Sequence, residues 1–487
     1  MKILHVTSEV TPFSKTGGLG DVSSALPHAQ SRFGHDVRLL TPYYSSVNGV
    51  AQPNDNDLST MLTIGGDEYR ADFVKHENGN GVRFLFLNCP RLFHRSGLYI
   101  DTSQNRDFGD NDARFTLLCR AALEYCKLAD WIPDIIHGHD WQAGLIPLLM
   151  KEDHLFDNTR AAFTIHNMAY QGLFPRSTLH YIPEAEQYFT LGGPIEFHGM
   201  VSFLKAAIEF SDVLNTVSST YAMEIQSKSE YGFGLEQVLS ANRNRFRGIL
   251  NGIDTNEWNP NTDTKISVRY SADFVAKKIE NKKALCVRTN LSHRRGIPLI
   301  GMITRITEQK GFEIIMPIMT EILNLPAQMV VLGTGDPYYE HLLLDFARTF
   351  SDKMYVSIAY DDTFAHRIEA GADMFLMPSK FEPCGLNQMM SMRYGTLPIV
   401  RATGGLDDSV RDADQDDENG TGFKFKRYES AELMRTIRRA VEAYHDPHRW
   451  KRIQRNAMAR DFSWEKSATQ YIEMYETALK NPAWRIS

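Results

Sequence analysis

Fixed cations and a lone carboxylate stand at the ends of short apolar runs in the second half of the chain. In Thr304-Arg305-Ile306-Thr307-Glu308-Gln309-Lys310-Gly311, two cations follow a predicted strand, at its ligand edge. Breaking a sugar–phosphate bond without a metal requires neutralising a diphosphate leaving group, and Arg305 and Lys310 supply that charge. Surface pairing with Glu308 and Glu313 is the bland alternative and stays open at this point. In Met377-Pro378-Ser379-Lys380-Phe381-Glu382-Pro383-Cys384-Gly385-Leu386, Glu382 falls between a strand and a helix. There it orients sugar hydroxyls or stabilises a developing oxocarbenium ion, unless it only caps the helix. Gly385, near the helix start, lets backbone N–H groups face a phosphate or a sugar. Cys384 has no nearby histidine to activate it, so a nucleophile is not expected.

Two glycine turns carry the same theme. Lys15-Thr16-Gly17-Gly18-Leu19-Gly20-Asp21 lies between a first strand and a first helix, where a phosphate can approach the backbone. Lys15 adds a mobile charge, and Asp21 a carboxylate that caps the helix or contacts a sugar hydroxyl. Neither the dinucleotide fingerprint nor the P-loop fits: Ser23 stands where the third glycine is needed, and the lysine precedes the glycines. Thr403-Gly404-Gly405-Leu406-Asp407 repeats the strand, glycine turn and helix arrangement and can close over the same diphosphate. His137-Gly138-His139-Asp140-Trp141 has H-x-H spacing, but no third or fourth ligand accompanies it, so no metal is expected. Asp140 and Trp141 suit hydrogen bonding and stacking on a sugar ring.

The elements that must position these groups alternate. Short apolar runs at 3–6, 35–42, 81–88, 134–137, 161–166 and 211–217 are separated by helical sequence, a βαβ rhythm that predicts a doubly wound α/β sheet. The rhythm breaks at Asn251-Gly252-Ile253-Asp254 and restarts at 298–304, 328–332, 354–358, 373–377 and 397–400. Two Rossmann-like domains therefore follow, 1–250 and 251–463, and two domains imply a cleft. Residues 430–479 read as continuously helical, with His448 to Arg455 as a solvated basic face and 412–419 as a short acidic loop.

Composition narrows the class. A chain of 487 residues with 43% hydrophobic residues is too long for one core, and its net charge of −7 gives no reason to bind nucleic acid or an anionic membrane. Five cysteines without a C-x-x-C pair point to a reducing compartment, and no apolar stretch approaches a membrane span, so a cytoplasmic protein is expected.

Taken together and in this order, Lys15-Thr16-Gly17-Gly18-Leu19, His166-Asn167-Met168-Ala169-Tyr170-Gln171-Gly172, Asn251-Gly252-Ile253-Asp254, Gln309-Lys310-Gly311, Phe381-Glu382-Pro383-Cys384-Gly385-Leu386 and Thr403-Gly404-Gly405-Leu406 resemble the bacterial glycogen synthases and plant starch synthases over nearly the whole length. The resemblance implies a glycosyltransferase of the GT-B fold that moves glucose from ADP-glucose to the non-reducing end of an α-1,4-glucan with retention of configuration, and needs no cofactor. It implies that Lys15, with Gly17 and Gly18, binds the sugar nucleotide, that Arg305 and Lys310 hold the diphosphate, that Glu382 is the carboxylate needed for transfer, and that His166 faces the donor glucose. Asp21, Asp140 and Asn251 would line the sugar sites and Tyr360 would pack on the base, while Cys384, Gly385, Leu386, Thr403, Gly404 and Gly405 complete the binding loops. A final helical segment, 464–487, would cross back to the first domain. Lys380 replaces an arginine common among relatives, and Met390 stands where some branches carry a second glutamate. Another nucleotide-sugar enzyme of the same fold and a silent glucan-binding protein are the rival readings.

Overall fold

The structure, a computed structural model, describes residues 1–55, 57–77, 79, 81–104 and 106–481. The chain forms two compact units: Met1–Gly252 with Trp464–Ser487, and Ile253–Ser463. The part of the final segment at 482–487 lies outside the described residues.

The first unit is built on a nine-stranded sheet. Its strands are β1 (Lys2–Val6), β2 (Asp36–Pro42), β3 (Leu58–Ile64), β4 (Asp67–Glu77), β5 (Val82–Asn88), β6 (Ile135–His139), β7 (Arg160–Ile165), β8 (Val213–Thr216) and β9 (Phe246–Gly248). They lie in the order β9-β8-β7-β6-β1-β2-β5-β4-β3, parallel except for the antiparallel pairs β3–β4 and β4–β5. Strands such as β6 are buried at every position, as expected of a parallel sheet covered on both faces. The helix α1 (Gly18–Arg32) buries Leu19, Val22, Leu26 and Ala29, spaced three or four apart, against this sheet. Beside it packs the helix Trp464–Lys480, whose Trp464, Ala468, Tyr471, Met474, Tyr475 and Ala478 join the same core. Each large side chain so buried contributes about 1.5–3 kcal/mol.

The second unit carries a six-stranded parallel sheet. With β10 (Leu299–Ile303), β11 (Gln328–Gly333), β12 (Met354–Ile358), β13 (Met374–Met377), β14 (Leu397–Arg401) and β15 (Phe423–Phe425), the order is β12-β11-β10-β13-β14-β15. The direction of winding reverses between β10 and β13. Loops that leave two adjacent strands toward opposite sides open a crevice at such a point, and that is where these sheets bind ligands. In the first unit the reversal falls between β1 and β6.

Two expectations need correction, and one element went unread. The region 430–479 is three helices, Ser430–Tyr444, Pro447–Met458 and Trp464–Lys480, because Pro447 opens a new helix under the Asp446 cap. The basic face of the middle helix is not simply solvated: Arg449 pairs with Asp414 at 2.5 Å and Arg452 with Asp417 at 2.5 Å, which ties down the acidic loop. The hairpin β3–β4, unread in the sequence, turns at Gly65-Gly66, both at positive φ. No helix among the described residues is long and apolar enough to cross a membrane.

Candidate functional site

In the second unit three loops meet at the carboxyl ends of β10, β13 and β14. Residues 304–311 follow β10, and residues 378–386 follow β13. They are laced together: Lys380 N donates to Gln309 O at 2.8 Å, Gln309 Nε2 donates to Phe381 O at 3.2 Å, and Lys380 Nζ pairs with Glu308 at 2.7 Å. Gly311, at φ 88, passes so close to Pro378 that an added Cβ would lie 2.3 Å from its carbonyl oxygen. The third loop, 403–405, props up the second. A Cβ on Gly404 would lie 2.0 Å from Glu382 O, and one on Gly405 would lie 2.1 Å from Cys384 O. These glycines admit a neighbouring backbone, which is a reason different from the phosphate approach read from their sequence.

The lacing fixes Glu382. Its Oε2 accepts from Lys310 Nζ at 2.6 Å and from Ser379 Oγ at 3.0 Å, with side-chain exposures of 8% for Glu382 and 16% for Lys310. Glu382 therefore does not cap the following helix, whose N-cap is Leu386. Lys310 does not pair with Glu308 or Glu313, which are taken by Lys380. Arg305 is exposed, and its guanidinium makes no hydrogen bond or ion pair among the described residues. An unpaired guanidinium on the same loop as Lys310, whose ammonium neutralises a buried carboxylate, is an arrangement able to receive a diphosphate. Cys384 is buried, and Tyr360, just beyond β12, is 87% exposed.

In the first unit the glycine turn is organised by a residue that sequence reading passed over. Glu9, 3% exposed, accepts from Thr16 N at 2.6 Å, Thr16 Oγ1 at 2.6 Å and Gly17 N at 3.4 Å. Those two N–H groups are thus already satisfied. Lys15 Nζ pairs with Asp21 Oδ1 at 2.7 Å, and Thr11 Oγ1 donates to the same oxygen, so Asp21 does not cap α1; the N-cap is Gly17. A Cβ on Gly17 or Gly18 would meet nothing within 4 Å. Unlike Gly404 and Gly405, these two leave open space over the backbone.

Asp140 and His166 follow β6 and β7. Asp140 sits at φ 54, ψ 177, a conformation costly for a non-glycine residue and held here because its Oδ1 accepts from His166 N at 2.7 Å. Burial pushes its carboxyl up to about 7, and the N–H groups of His166 and Asn167 pull it partly back. Trp141 does not stand open for a sugar: it is 9% exposed and packs edge-on to Phe115 at 5.0 Å. Asn251 follows β9 and is buried, with no partner for its Oδ1 among the described residues.

Two groups of described residues have metal-ligand types in reach, His5 with His137 and His139, and Glu257 with Asp362 and His366. In the first, both ring nitrogens of each histidine already have hydrogen-bond partners. In the second, Lys265 Nζ lies 3.3 Å from Glu257, 2.6 Å from Asp362 and 3.1 Å from His366, a cation already in place. Neither donor set calls for an ion.

Residues 2–241 match the family described as starch synthase catalytic domain, and residues 288–457 match glycosyl transferases group 1. The chain is 44% identical to a glycogen synthase of Koribacter versatilis over 98% of both chains, and 43% identical to one of Geotalea daltonii over 98% of this chain and 99% of that one. Its fold superposes with a TM-score of 0.89 and 34% identity, over 99% of each chain, on the catalytic domain of starch synthase IV from Arabidopsis thaliana bound to ADP and acarbose. Sucrose-phosphate synthase from Thermosynechococcus elongatus, 18% identical over 98% of this chain and 99% of that one, shares the fold at a TM-score of 0.62. Likeness of this extent, over two parallel-sheet units whose chemistry-bearing residues stand at strand ends, places the chain in the glycogen synthase family of GT-B glycosyltransferases.

Proposed function

We propose that the chain transfers glucose from ADP-glucose to the non-reducing end of an α-1,4-glucan, with retention of configuration and release of ADP. The observation that carries this is the neutralised pair Lys310–Glu382 at the switch point of the second unit, with the unpaired Arg305 guanidinium on the same loop as Lys310. In the reaction the bond from glucose C1 to the diphosphate oxygen breaks, and a bond from C1 to an acceptor hydroxyl oxygen forms on the same face. The acceptor's proton passes to the departing ADP. Arg305 and Lys310 stabilise the charge that develops on the diphosphate, and Glu382 faces the cationic sugar. Cys384, Gly385, Leu386, Thr403, Gly404 and Gly405 act as the framework of that loop, and Tyr360 receives the base. From the first unit, Lys15 with Gly17 and Gly18 meets the nucleotide's phosphates, His166 meets the donor glucose, and Asp21, Asp140 and Asn251 line the sugar sites. The starch synthase bound to ADP and acarbose supports a nucleotide and a glucan as the two ligands. The same reading places the protein in the cytoplasm, supported by five buried cysteines, none of them in a disulfide.

The test is incorporation of labelled glucose into glycogen from ADP-glucose and, in parallel, from UDP-glucose, by the wild type and Glu382→Gln. Incorporation from ADP-glucose that collapses in the variant is expected. Incorporation from UDP-glucose alone overturns the donor assignment, and none from either leaves another transferase or a silent glucan binder.

A further inference from the structure

A continuous chain of side-chain hydrogen bonds runs through the core of the first unit and ends at His166. His166 Nε2 meets His139 Nδ1 at 3.0 Å, His139 Nε2 meets His5 Nδ1 at 2.9 Å, and His5 Nε2 meets Gln30 Oε1 at 2.7 Å. Gln30 Nε2 reaches Tyr475 OH at 3.1 Å, and Tyr475 OH reaches His137 Nδ1 at 2.6 Å. From His137 Nε2 the chain continues to Thr164 Oγ1 at 2.6 Å and to Asn215 Oδ1 at 2.7 Å. Every member except His166 is wholly buried, and His166 is 9% exposed.

Burial holds all four imidazoles neutral, lowering His5 to about 4 and His166 to about 3, and His137 and His139 well below the usual histidine range. A neutral imidazole donates from one nitrogen and accepts at the other, and a hydroxyl has one proton to give, so the whole chain must point one way. Its sense is set at the far end. Asn215 Nδ2 faces the Thr216 carbonyl at 3.4 Å, which can only accept, so Asn215 Oδ1 faces Thr164. Thr164 then donates to Asn215 and accepts from His137 Nε2. His137 Nδ1 accepts from Tyr475, Tyr475 accepts from Gln30, and Gln30 Oε1 accepts from His5 Nε2. It follows that His139 Nε2 donates to His5 and His166 Nε2 donates to His139. His166 Nδ1 is left as a bare acceptor, with no partner among the described residues.

We propose that Gln30, His5, His139 and Tyr475 are positioning residues that lock His166 in its Nε2–H tautomer, so that its Nδ1 accepts a hydrogen bond from a hydroxyl of the donor sugar. The contact between His166 and the donor glucose is that of the proposed function, on which this inference rests. A lone pair at this point matches a neutral polyol and repels a phosphate oxygen, so it sorts the sugar end of the donor from the nucleotide end.

Nitrogen NMR of the full chain labelled with 15N-histidine reads the tautomer directly, with His166→Gln to assign the signal. The expected result is a protonated Nε2 and an unprotonated Nδ1; protonation of His166 at Nδ1, or at both nitrogens, overturns the proposal. Tyr475→Phe removes the link that sets the sense. It is expected to populate the other tautomer of His166 and to lower kcat/KM for ADP-glucose on the order of tenfold, with inhibition by ADP unchanged. A loss confined to melting temperature, with tautomer and kcat/KM intact, overturns the positioning role. Full activity in His166→Ala would instead refute the sugar contact itself, whatever tautomer the NMR shows.

Discussion

The pair Lys310–Glu382 lets stability and catalysis be separated by experiment. Unit charges 2.6 Å apart attract by roughly 6 kcal/mol at an effective dielectric of about 20. Desolvation of two largely buried ions offsets part of this, and breaking such a pair from one side costs about 3–5 kcal/mol. Lys310→Met leaves the Glu382 carboxylate with only the Ser379 hydroxyl on Oε2, so the second unit should lose about 3 kcal/mol or more. Glu382→Gln keeps an acceptor for the ammonium and should cost about 1–2 kcal/mol. The double variant removes both charges, and its cost should fall about 2 kcal/mol short of the sum of the single variants. Calorimetry of the four proteins measures this coupling, and incorporation of labelled glucose measures activity in the same samples. Turnover should fall about a hundredfold or more in each single variant, with no recovery in the double. Arg305→Met is the control: an exposed, unpaired cation should change stability by less than about 0.5 kcal/mol yet lower turnover about a hundredfold. Additive stability losses, or activity that returns when both charges are gone, would refute the reasoning.

Two further outcomes follow from the geometry. Gly405→Ala forces a methyl onto the Cys384 backbone and should destabilise the second unit by about 2 kcal/mol or more, whereas Gly17→Ala, with open space around it, should leave melting unchanged and raise the KM for the nucleotide sugar. Equal melting losses in the two variants would show that space is not what separates these turns. Asp140 holds its proton to about 7 in the folded state against 3.8 unfolded, so the native state binds the extra proton in between and wild-type stability falls as pH rises through that window. Asp140→Asn lacks the titration, and its stability advantage should grow by up to about 4 kcal/mol between about pH 4 and about pH 8; parallel pH profiles for the two proteins would count against a buried, protonated Asp140.

What was legible in the sequence was the placement of chemistry at strand ends. Arg305, Lys310, Glu382, Asp140 and His166 all follow apolar runs, and in a parallel sheet that position alone brings them to the ligand edge. What was not legible was the reason each glycine or histidine stands where it does. Gly17-Gly18 and Gly404-Gly405 look alike in the chain, yet one pair faces open space and the other a neighbouring backbone, a difference that depends on residues far away in sequence. His137 and His139 sit two apart on β6 and so share a face of the strand. Their partners Tyr475, Thr164, His5 and His166 come from three other strands or loops and a distant helix, which no local spacing reveals. Two signals were present but unused: Gly65-Gly66 between alternating segments, and Asp446-Pro447 inside the helical stretch.

The first unit is not finished where its sheet ends. After Gly252 the chain makes the whole of the second unit before it returns with the helix that begins at Trp464. At ribosomal speeds of 5–20 residues per second, that detour lasts roughly 10–40 s. During it the second unit can fold to completion, whereas Ile3, Leu26, Ala162 and Val213 await the helix that covers them. Tyr475, which links the histidine chain to the end that sets its sense, is made only after the second unit. A chain halted after the second unit therefore has the Lys310–Glu382 pair in place but no Tyr475 hydroxyl for Gln30 and His137 to meet, and under the proposed function the order of synthesis itself keeps an unfinished chain silent.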